Sequence, residues 1–246
     1  MNNDSTSSDN KSSVAFLIPS TTRGRSWVDI KKTYLFNTFL GSMDRSPPSV
    51  DVVIYIGYDT DDPIYSRFEE RQIVSAVFSK FRIKWVEMNP PVGQGNVVAV
   101  WNKLGEHALA NGHEYLMVLG DDIVVPKDPA WLKVFLKDLK RNNNFGWSAG
   151  WSNNDAIATQ FLIHKTHIDI FGFIFPPSLR NYFCDDFLNN IYPSKYKNWR
   201  KNYHLLNTGG EPRYTPLNDK VLCDMLVKRH TSQIARFLNQ MNMINI

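Results

Sequence analysis

Three short apolar runs, Val14–Ile18, Asp51–Tyr58 and Glu114–Leu119, and a further strand-like segment, Arg82–Met88, alternate with segments of helical or loop character, and this alternation constrains the chain more than any other feature. A continuous run closed by a turn residue, such as Val14-Ala-Phe-Leu-Ile18 before Pro19, suits a strand buried on both faces. Between the runs, Trp27–Leu40 repeats apolar residues at a rough helical period and ends near Gly41. The Pro47-Pro48 pair then forbids helix. A helix over Ile64–Phe81 is expected to return to the third strand, and one over Asn96–Ala110 is closed by Asn111-Gly112. Strands and helices in this order predict an α/β fold, a mostly parallel central sheet flanked by helices on both faces. Ligands of such sheets bind beyond the carboxyl ends of the strands.

The second half is less regular. Trp131–Lys140 reads as a helix, Phe161–His164 as a strand, and Asp185–Tyr192 as a short helix opened by two carboxylates at its positive end. Lys195–Tyr214 is aromatic and basic with Gly209-Gly210 inside, and is expected to be a loop able to move. Asp219–Met243 is expected to form one C-terminal helix. Residues 1–13 are almost wholly polar, and such a composition cannot bury enough surface to offset ordering entropy, so they are expected to be a disordered leader.

At 246 residues with 43% hydrophobic content, the chain has enough material for one sizeable core, residues 14–246, and too little for three domains. It has 28 Lys and Arg against 24 Asp and Glu, a mild bias towards anionic partners without the clustered basic stripes of a nucleic-acid binder. None of its apolar stretches approaches bilayer length. Two cysteines, Cys184 and Cys223, cannot make a disulfide framework, and the first residues lack the apolar stretch of a secretory signal. A cytoplasmic, reducing setting is the expectation.

The sharpest chemical feature is Leu116-Met-Val-Leu-Gly-Asp121-Asp122-Ile-Val-Val-Pro126. Adjacent carboxylates at the end of a buried strand repel each other and resist desolvation unless a cation is present. Hard, oxygen-rich sites suit Mg²⁺ or Mn²⁺, and Mg²⁺ is commonly held by one or two carboxylates plus substrate phosphates. A nucleoside diphosphate would then be the natural ligand. The same pair could instead open a turn.

The order of strand, glycine loop, Asn-bearing helix, strand and Asp-Asp resembles the nucleotide-binding half of the GT-A glycosyltransferases, particularly the family 2 type. The matching pieces are Gly93-Gln-Gly95, Trp101-Asn102-Lys103-Leu104-Gly105, Tyr115–Leu119, Gly120-Asp121-Asp122 and Pro126. Aligned on Pro126, the family's usual first acidic position falls on Leu119 or Gly120, so Asp121 and Asp122 must share the metal role. The resemblance implies a nucleotide-sugar-binding half over 14–126, an acceptor half over 127–218 and a C-terminal helix over 219–246. It implies that Pro19, Ser20, Thr21 and Arg23, with Asp59 or Asp61, hold the nucleoside, and that Gly95, Asn102 and Gly120 belong to the same donor site. Asp59, Asp61 and Asp62 could equally be a solvated turn.

A second carboxylate pair stands in Cys184-Asp185-Asp186-Phe. By resemblance to inverting GT-A enzymes, Asp186 would take the proton from an acceptor hydroxyl and Asp185 would brace it, although a helix dipole alone also favours Asp there. A late His and a basic residue complete the site in several such enzymes, which points to His204 for the metal and Arg213 for the diphosphate. Trp147 and Trp151, beside glycines, are candidates for sugar contact, whereas Phe171, Phe173 and Phe175 read as core. His164 and His167 alone do not make a zinc site.

The resemblance thus implies a metal-dependent glycosyltransferase that uses Mn²⁺ or Mg²⁺ to move a sugar from a nucleoside diphosphate sugar, a UDP-sugar by preference, to a hydroxyl acceptor such as a glycan. The lone domain and the strings Gly-Asp-Asp-Ile and Cys-Asp-Asp-Phe are also similar to glycosyltransferases encoded by large DNA viruses. Two alternatives stay open: a sugar-phosphate nucleotidyltransferase, of whose basic loop Ser20–Arg25 is a faint echo, and a carbohydrate-binding domain without turnover.

Overall fold

The computed structural model describes residues 13–92 and 95–241. Most of the polar leader, the loop residues Gly93 and Gln94, and the last few residues lie outside that description. The strands are β1 (Val14–Pro19), β2 (Val52–Asp59), β3 (Arg82–Met88), β4 (Tyr115–Val118), β5 (Ile123–Val124), β6 (Trp147–Trp151), β7 (Phe161–His164), β8 (Lys197–His204) and β9 (Leu206–Asn207). Seven of them form one sheet in the order β3-β2-β1-β4-β7-β6-β8, while β5 and β9 make a separate ribbon. Pairs β1/β2, β2/β3, β1/β4 and β6/β8 are parallel, and β7 runs against both neighbours. The mostly parallel α/β sheet read from the sequence is therefore the one the chain forms.

The apolar runs are continuous because both sheet faces are covered. Alternate residues of one strand point to opposite sides. Val14, Phe16 and Ile18 enter one core with Met117, Leu119, Trp131 and Phe135, while Ala15 and Leu17 enter the other with Leu104, Leu116 and Phe187. The helices are α1 (Gly41–Arg45), α2 (Phe68–Val77), α3 (Val97–Ala110), α4 (Trp131–Arg141), α5 (Thr166–Phe171), α6 (Cys184–Ile191) and α7 (Lys220–Gln240). Asn96 caps α3 by accepting from Ala99 N at 3.2 Å, and the chain leaves it through Asn111 and a left-handed Gly112, φ +81°.

Three expectations change. The helix over Trp27–Leu40 is a single turn at Ile30–Lys32 followed by wide turns over Leu35–Leu40, and these run on through Gly41 into α1. Gly41 is helical at φ −62° and donates to Phe36 O five residues back, so it continues the helix rather than ending it. The helix over Ile64–Phe81 shortens to α2, because the Asp62 carboxylate accepts from Ile64 N and Tyr65 N at 3.1 and 2.9 Å and holds them in a turn. Lys195–Tyr214, expected to be a loop, contributes β8 and β9. Strand β8 is a half-exposed edge, where polar and cationic side chains replace an apolar run and guard the open hydrogen-bonding edge. It lies close against β6 because Gly146, at φ +98°, has no Cβ to strike the Tyr196 carbonyl.

Candidate active site

The carboxyl ends of β1, β2 and β4 converge. Beyond β1, Ser20–Thr22 is pinned by Asp62, which is fully buried. Its carboxylate accepts from Thr21 Oγ1 (3.0 Å), Thr22 N (2.8 Å) and Thr22 Oγ1 (2.6 Å) in addition to the two backbone bonds above. One residue of the acidic turn is thus the internal brace of the neighbouring loop. At the end of β2, Asp59 is buried and accepts from Val92 N at 3.0 Å. Pro19, Ser20, Thr21, Gly57 and Asp59 line a narrow slot with Val97, Val100 and Tyr214. Arg23 and Asp61 pair with each other at 2.5 Å at the slot's outer rim, beside Asp59.

Beyond β4 the two adjacent carboxylates have different fates. Asp121 is 1% exposed and forms a bidentate pair with Arg213: Nη1 donates to Oδ2 at 2.9 Å and Nη2 to Oδ1. Ser20 Oγ also donates to Asp121 Oδ2, at 2.6 Å. Burial opposes the guanidinium charge, and Asp121 more than offsets it, so the Arg213 pKa lies above its ordinary value. Arg213 further donates to Thr21 O at 2.7 Å and lies over the rings of Tyr34 and Trp27, 5.6 and 6.0 Å from their centroids. Asp122 has no ion-pair partner among the described residues. Burial, reinforced by Asp121, pushes its pKa up to about 6. Its carboxylate occupies the space where a Gly209 side chain would be, and its carbonyl accepts from Thr208 N at 3.1 Å. With Arg25 Nη2 donating to Gly209 O and Glu211 O at 3.3 and 2.5 Å, segment 208–214 is strapped across the strand ends.

Opposite stands the start of α6. Asp185 and Asp122 line one cleft of about 590 Å³, whose walls include Trp101, Gln160, Tyr182 and Tyr214. Burial, with Asp186 next to it, pushes the Asp185 pKa up to about 7. Asp185 Oδ1 accepts from Asp186 N at 3.1 Å. Of the two carboxylates it is Asp185, not Asp186, that lines the cleft. The loop before α6 is fixed by Asn181, whose Nδ2 donates to Gly95 O and Thr215 O (3.0 and 3.4 Å) and whose Oδ1 accepts from Tyr182 N and Leu217 N (2.6 and 3.1 Å). Gly120 lines the cleft floor and donates its N–H to Gln160 Oε1 at 3.0 Å.

Other residues singled out in the sequence sit elsewhere. Asn102 is turned to the protein: its Oδ1 accepts from Ile174 N and Phe175 N (2.9 and 3.0 Å) and its Nδ2 donates to Phe175 O (2.8 Å). Gly105, one turn on, has no side chain because a Cβ would come within 2.6 Å of Ile174 Cδ1. The Asn-x-x-Gly element therefore clips the 174–175 loop to α3. Gly95, at φ +68°, lines the outer groove beside Arg213 and Tyr214 rather than the main cleft. His204 is exposed and packs against Trp151, with ring centroids 5.1 Å apart, and it does not line the cleft with Asp122. Among the described residues no three His, Cys, Asp or Glu side chains gather as a metal cage. Trp147 is core, with its indole N–H donated to Leu188 O at 3.0 Å. Sequence reasoning passed over Trp101, Asn181, Tyr182 and Tyr214, and the solvated-turn alternative fails for Asp62, which is buried; Trp101 stood inside a quoted motif, but nothing in its spacing distinguished it.

No protein-family model matches the chain, and no curated protein matches it in sequence. Solved structures do match in fold. The chain is similar to residues 1–349 of S. aureus TarS, with TM-score 0.54, 11% identity, and 79% of this chain and 60% of that one covered. It is similar to the mannosyltransferase PcManGT from Pyrobaculum calidifontis in complex with GDP-Man and Mn²⁺, with TM-score 0.57, 12% identity and coverage of 94% and 75%. It is also similar to a cytidylyltransferase from Leptospira borgpetersenii, with TM-score 0.51, 10% identity and coverage of 91% and 96%. This chain therefore spans less than two thirds of the TarS structure it matches. What is shared at these identities is the fold, a GT-A-type arrangement of a mostly parallel sheet flanked by helices.

Proposed function

We propose that this chain is a metal-dependent glycosyltransferase that moves a sugar from a nucleoside diphosphate sugar, a UDP-sugar by preference, to a hydroxyl acceptor. The observation that carries the reading is that Asp122 and Asp185, two carboxylates without a cationic partner among the described residues, line one cleft at the strand ends while Asp121 is consumed by Arg213. One guanidinium stands against two adjacent carboxylates. The donor set fits a hard divalent cation held by few protein oxygens and completed by substrate phosphates. Asp122 is the residue to hold it, and His204 is not needed. A bound Mn²⁺ or Mg²⁺ would neutralise the charge that develops on the leaving diphosphate.

The chain's own residues supply the rest. Pro19, Ser20, Thr21 and Asp59 form the nucleoside slot, with Tyr214 over it. Asp185 is the carboxylate placed to accept the acceptor's proton; a pKa of about 7, set by burial, suits a base that must be both ionised and proton-hungry near neutrality. Asp186 then acts through Asp185 rather than on the acceptor. A nucleotidyltransferase reading would need cations of the Ser20–Arg25 loop free for a triphosphate, yet Arg23 is paired with Asp61 and Arg25 is bound to the carbonyls of Gly209 and Glu211. The test is calorimetric titration with UDP and GDP, with and without Mn²⁺, on the wild type and Asp122→Asn. Metal-dependent binding that fails in the variant is expected, followed by slow release of sugar from the matching nucleotide sugar. Absence of nucleotide binding under every condition would leave a binding module as the better account.

A further inference from the structure

The cleft that Asp185 lines carries chemistry that the donor does not use. We propose that Tyr182, Asn154 and Asn207 form the acceptor subsite and that it admits an uncharged sugar, while excluding acceptors that carry a carboxylate or phosphate close to the reacting hydroxyl. This rests on the glycosyltransferase reading above.

Most amides around the cleft are already committed. Asn153 exchanges two hydrogen bonds with the Asn207 backbone, both 3.2 Å. Gln160 accepts from Gly120 N and donates to Thr159 Oγ1 at 3.3 Å. Two are half committed. Asn154 Oδ1 accepts from Ala156 N and Ile157 N (2.9 and 3.1 Å), and Asn207 Oδ1 accepts from Gly209 N (3.0 Å). In each case the oxygen is tied to backbone and Nδ2 has no partner among the described residues. Because a planar amide with a fixed oxygen has a fixed NH₂ direction, these are two preoriented donors lining the cleft. Tyr182 lines the same cleft, 41% exposed, meeting Tyr214 at right angles with centroids 6.2 Å apart instead of stacking on it. An exposed phenol offers both an apolar ring and a hydroxyl, which match the C–H and O–H surfaces of a pyranose.

Charge narrows the class. The charged residues that line the cleft are Asp121, Asp122, Asp185 and Arg213, and both Nη atoms of Arg213 are spent on Asp121. Among the described residues no unpaired cation lines this cleft. An anionic acceptor would be desolvated against Asp185 without a partner, which is costly, whereas sugar hydroxyls can accept from the two amides and donate to the carboxylate.

The experiment is saturation-transfer NMR on the full chain with UDP and Mn²⁺ present, using methyl glucoside, galactoside, mannoside and N-acetylglucosaminide against methyl glucuronide and galacturonide. At least one neutral glycoside is expected to bind and neither uronide. Asn154→Asp keeps the oxygen that holds the local turn and removes the donor; it and Tyr182→Ala are each expected to weaken glycoside binding about tenfold, while calorimetric affinity for UDP with Mn²⁺ stays at wild-type level. Uronides binding as well as neutral glycosides, no glycoside binding to a protein that does bind UDP, or variants that leave glycoside affinity unchanged would each overturn the proposal. Failure of wild-type protein to bind UDP is read separately in the calorimeter and would overturn the glycosyltransferase reading itself.

Discussion

Replacing Arg213 with Met isolates what the buried ion pair does for the fold. The substitution keeps an aliphatic stem of similar length and removes both bonds to Asp121, whose side chain is 1% exposed, along with the guanidinium's bond to Thr21 O and its place over Trp27 and Tyr34. Asp121 would keep only the hydroxyl of Ser20. Breaking a buried pair from one side typically costs about 3–5 kcal/mol, because a charge is left without compensation. A ceiling follows from proton uptake: neutralising an ordinary carboxyl at pH 7 costs about 4 kcal/mol, and the variant can always take that route. The expected loss is therefore about 3–4 kcal/mol at pH 7. It should shrink by roughly 1.4 kcal/mol for each pH unit below 7, as protonation becomes cheaper, until ordinary carboxylates titrate. Urea unfolding at pH 7 and pH 5 measures both numbers, and Arg213→Met combined with Asp121→Asn should recover most of the loss at pH 7. A deficit under about 1 kcal/mol, a deficit that does not change with pH, or a double variant whose losses simply add would refute the argument.

Two further outcomes follow from buried polar groups. His167 is fully buried between Tyr192 Oη (2.8 Å) and Ile174 O (2.9 Å), and burial pushes its pKa down to about 4. The unfolded chain therefore takes up a proton that the fold refuses: the contribution is complete above pH 6.5 and falls by about 3 kcal/mol towards pH 4. Urea unfolding from pH 7 to pH 4 should show a slope about that much flatter in His167→Gln than in wild type, and equal slopes would contradict the assignment. Asn102→Ala should cost about 2–3 kcal/mol, because two N–H groups and one carbonyl of Ile174 and Phe175 lose their partner. Asn102→Asp, which keeps the acceptor and loses the donor, should fall between; thermal unfolding that ranks Asp below Ala would exclude this account.

Much of the N-terminal half was legible from residue order alone. Strands β1, β2 and β4 are visible as apolar runs because each is buried on both faces, so burial leaves a mark on every residue in the run, whereas β3, with Arg82, Lys84 and Glu87 exposed, alternates. The bounds of β3 and β7 coincide with expectation, and Asn96 and Gly112 mark the ends of α3 as caps do in any helix. Strand β8 was not legible, since an edge strand with one half-exposed face carries no periodic apolar signal, and its place beside β6 depends on Gly146, some fifty residues upstream of it.

The adjacent carboxylates at the end of β4 and at the start of α6 could be named from the sequence, but their division of labour could not. That Arg213 takes Asp121 and leaves Asp122 open depends on residues 92 positions apart meeting across the strand ends. Asn102 illustrates the same limit: its helix and position were readable, yet whether its amide faces ligand or loop was decided by where residues 174–175 return. Sequence by itself determined the alternation of elements, the parallel sheet and the edge at which chemistry would gather, because burial and capping act on neighbours along the chain. Tertiary structure alone decided which carboxylate is paired, which is open and which faces the cleft, because hydrogen bonds and ion pairs form between groups near in space, and local spacing carries no record of them.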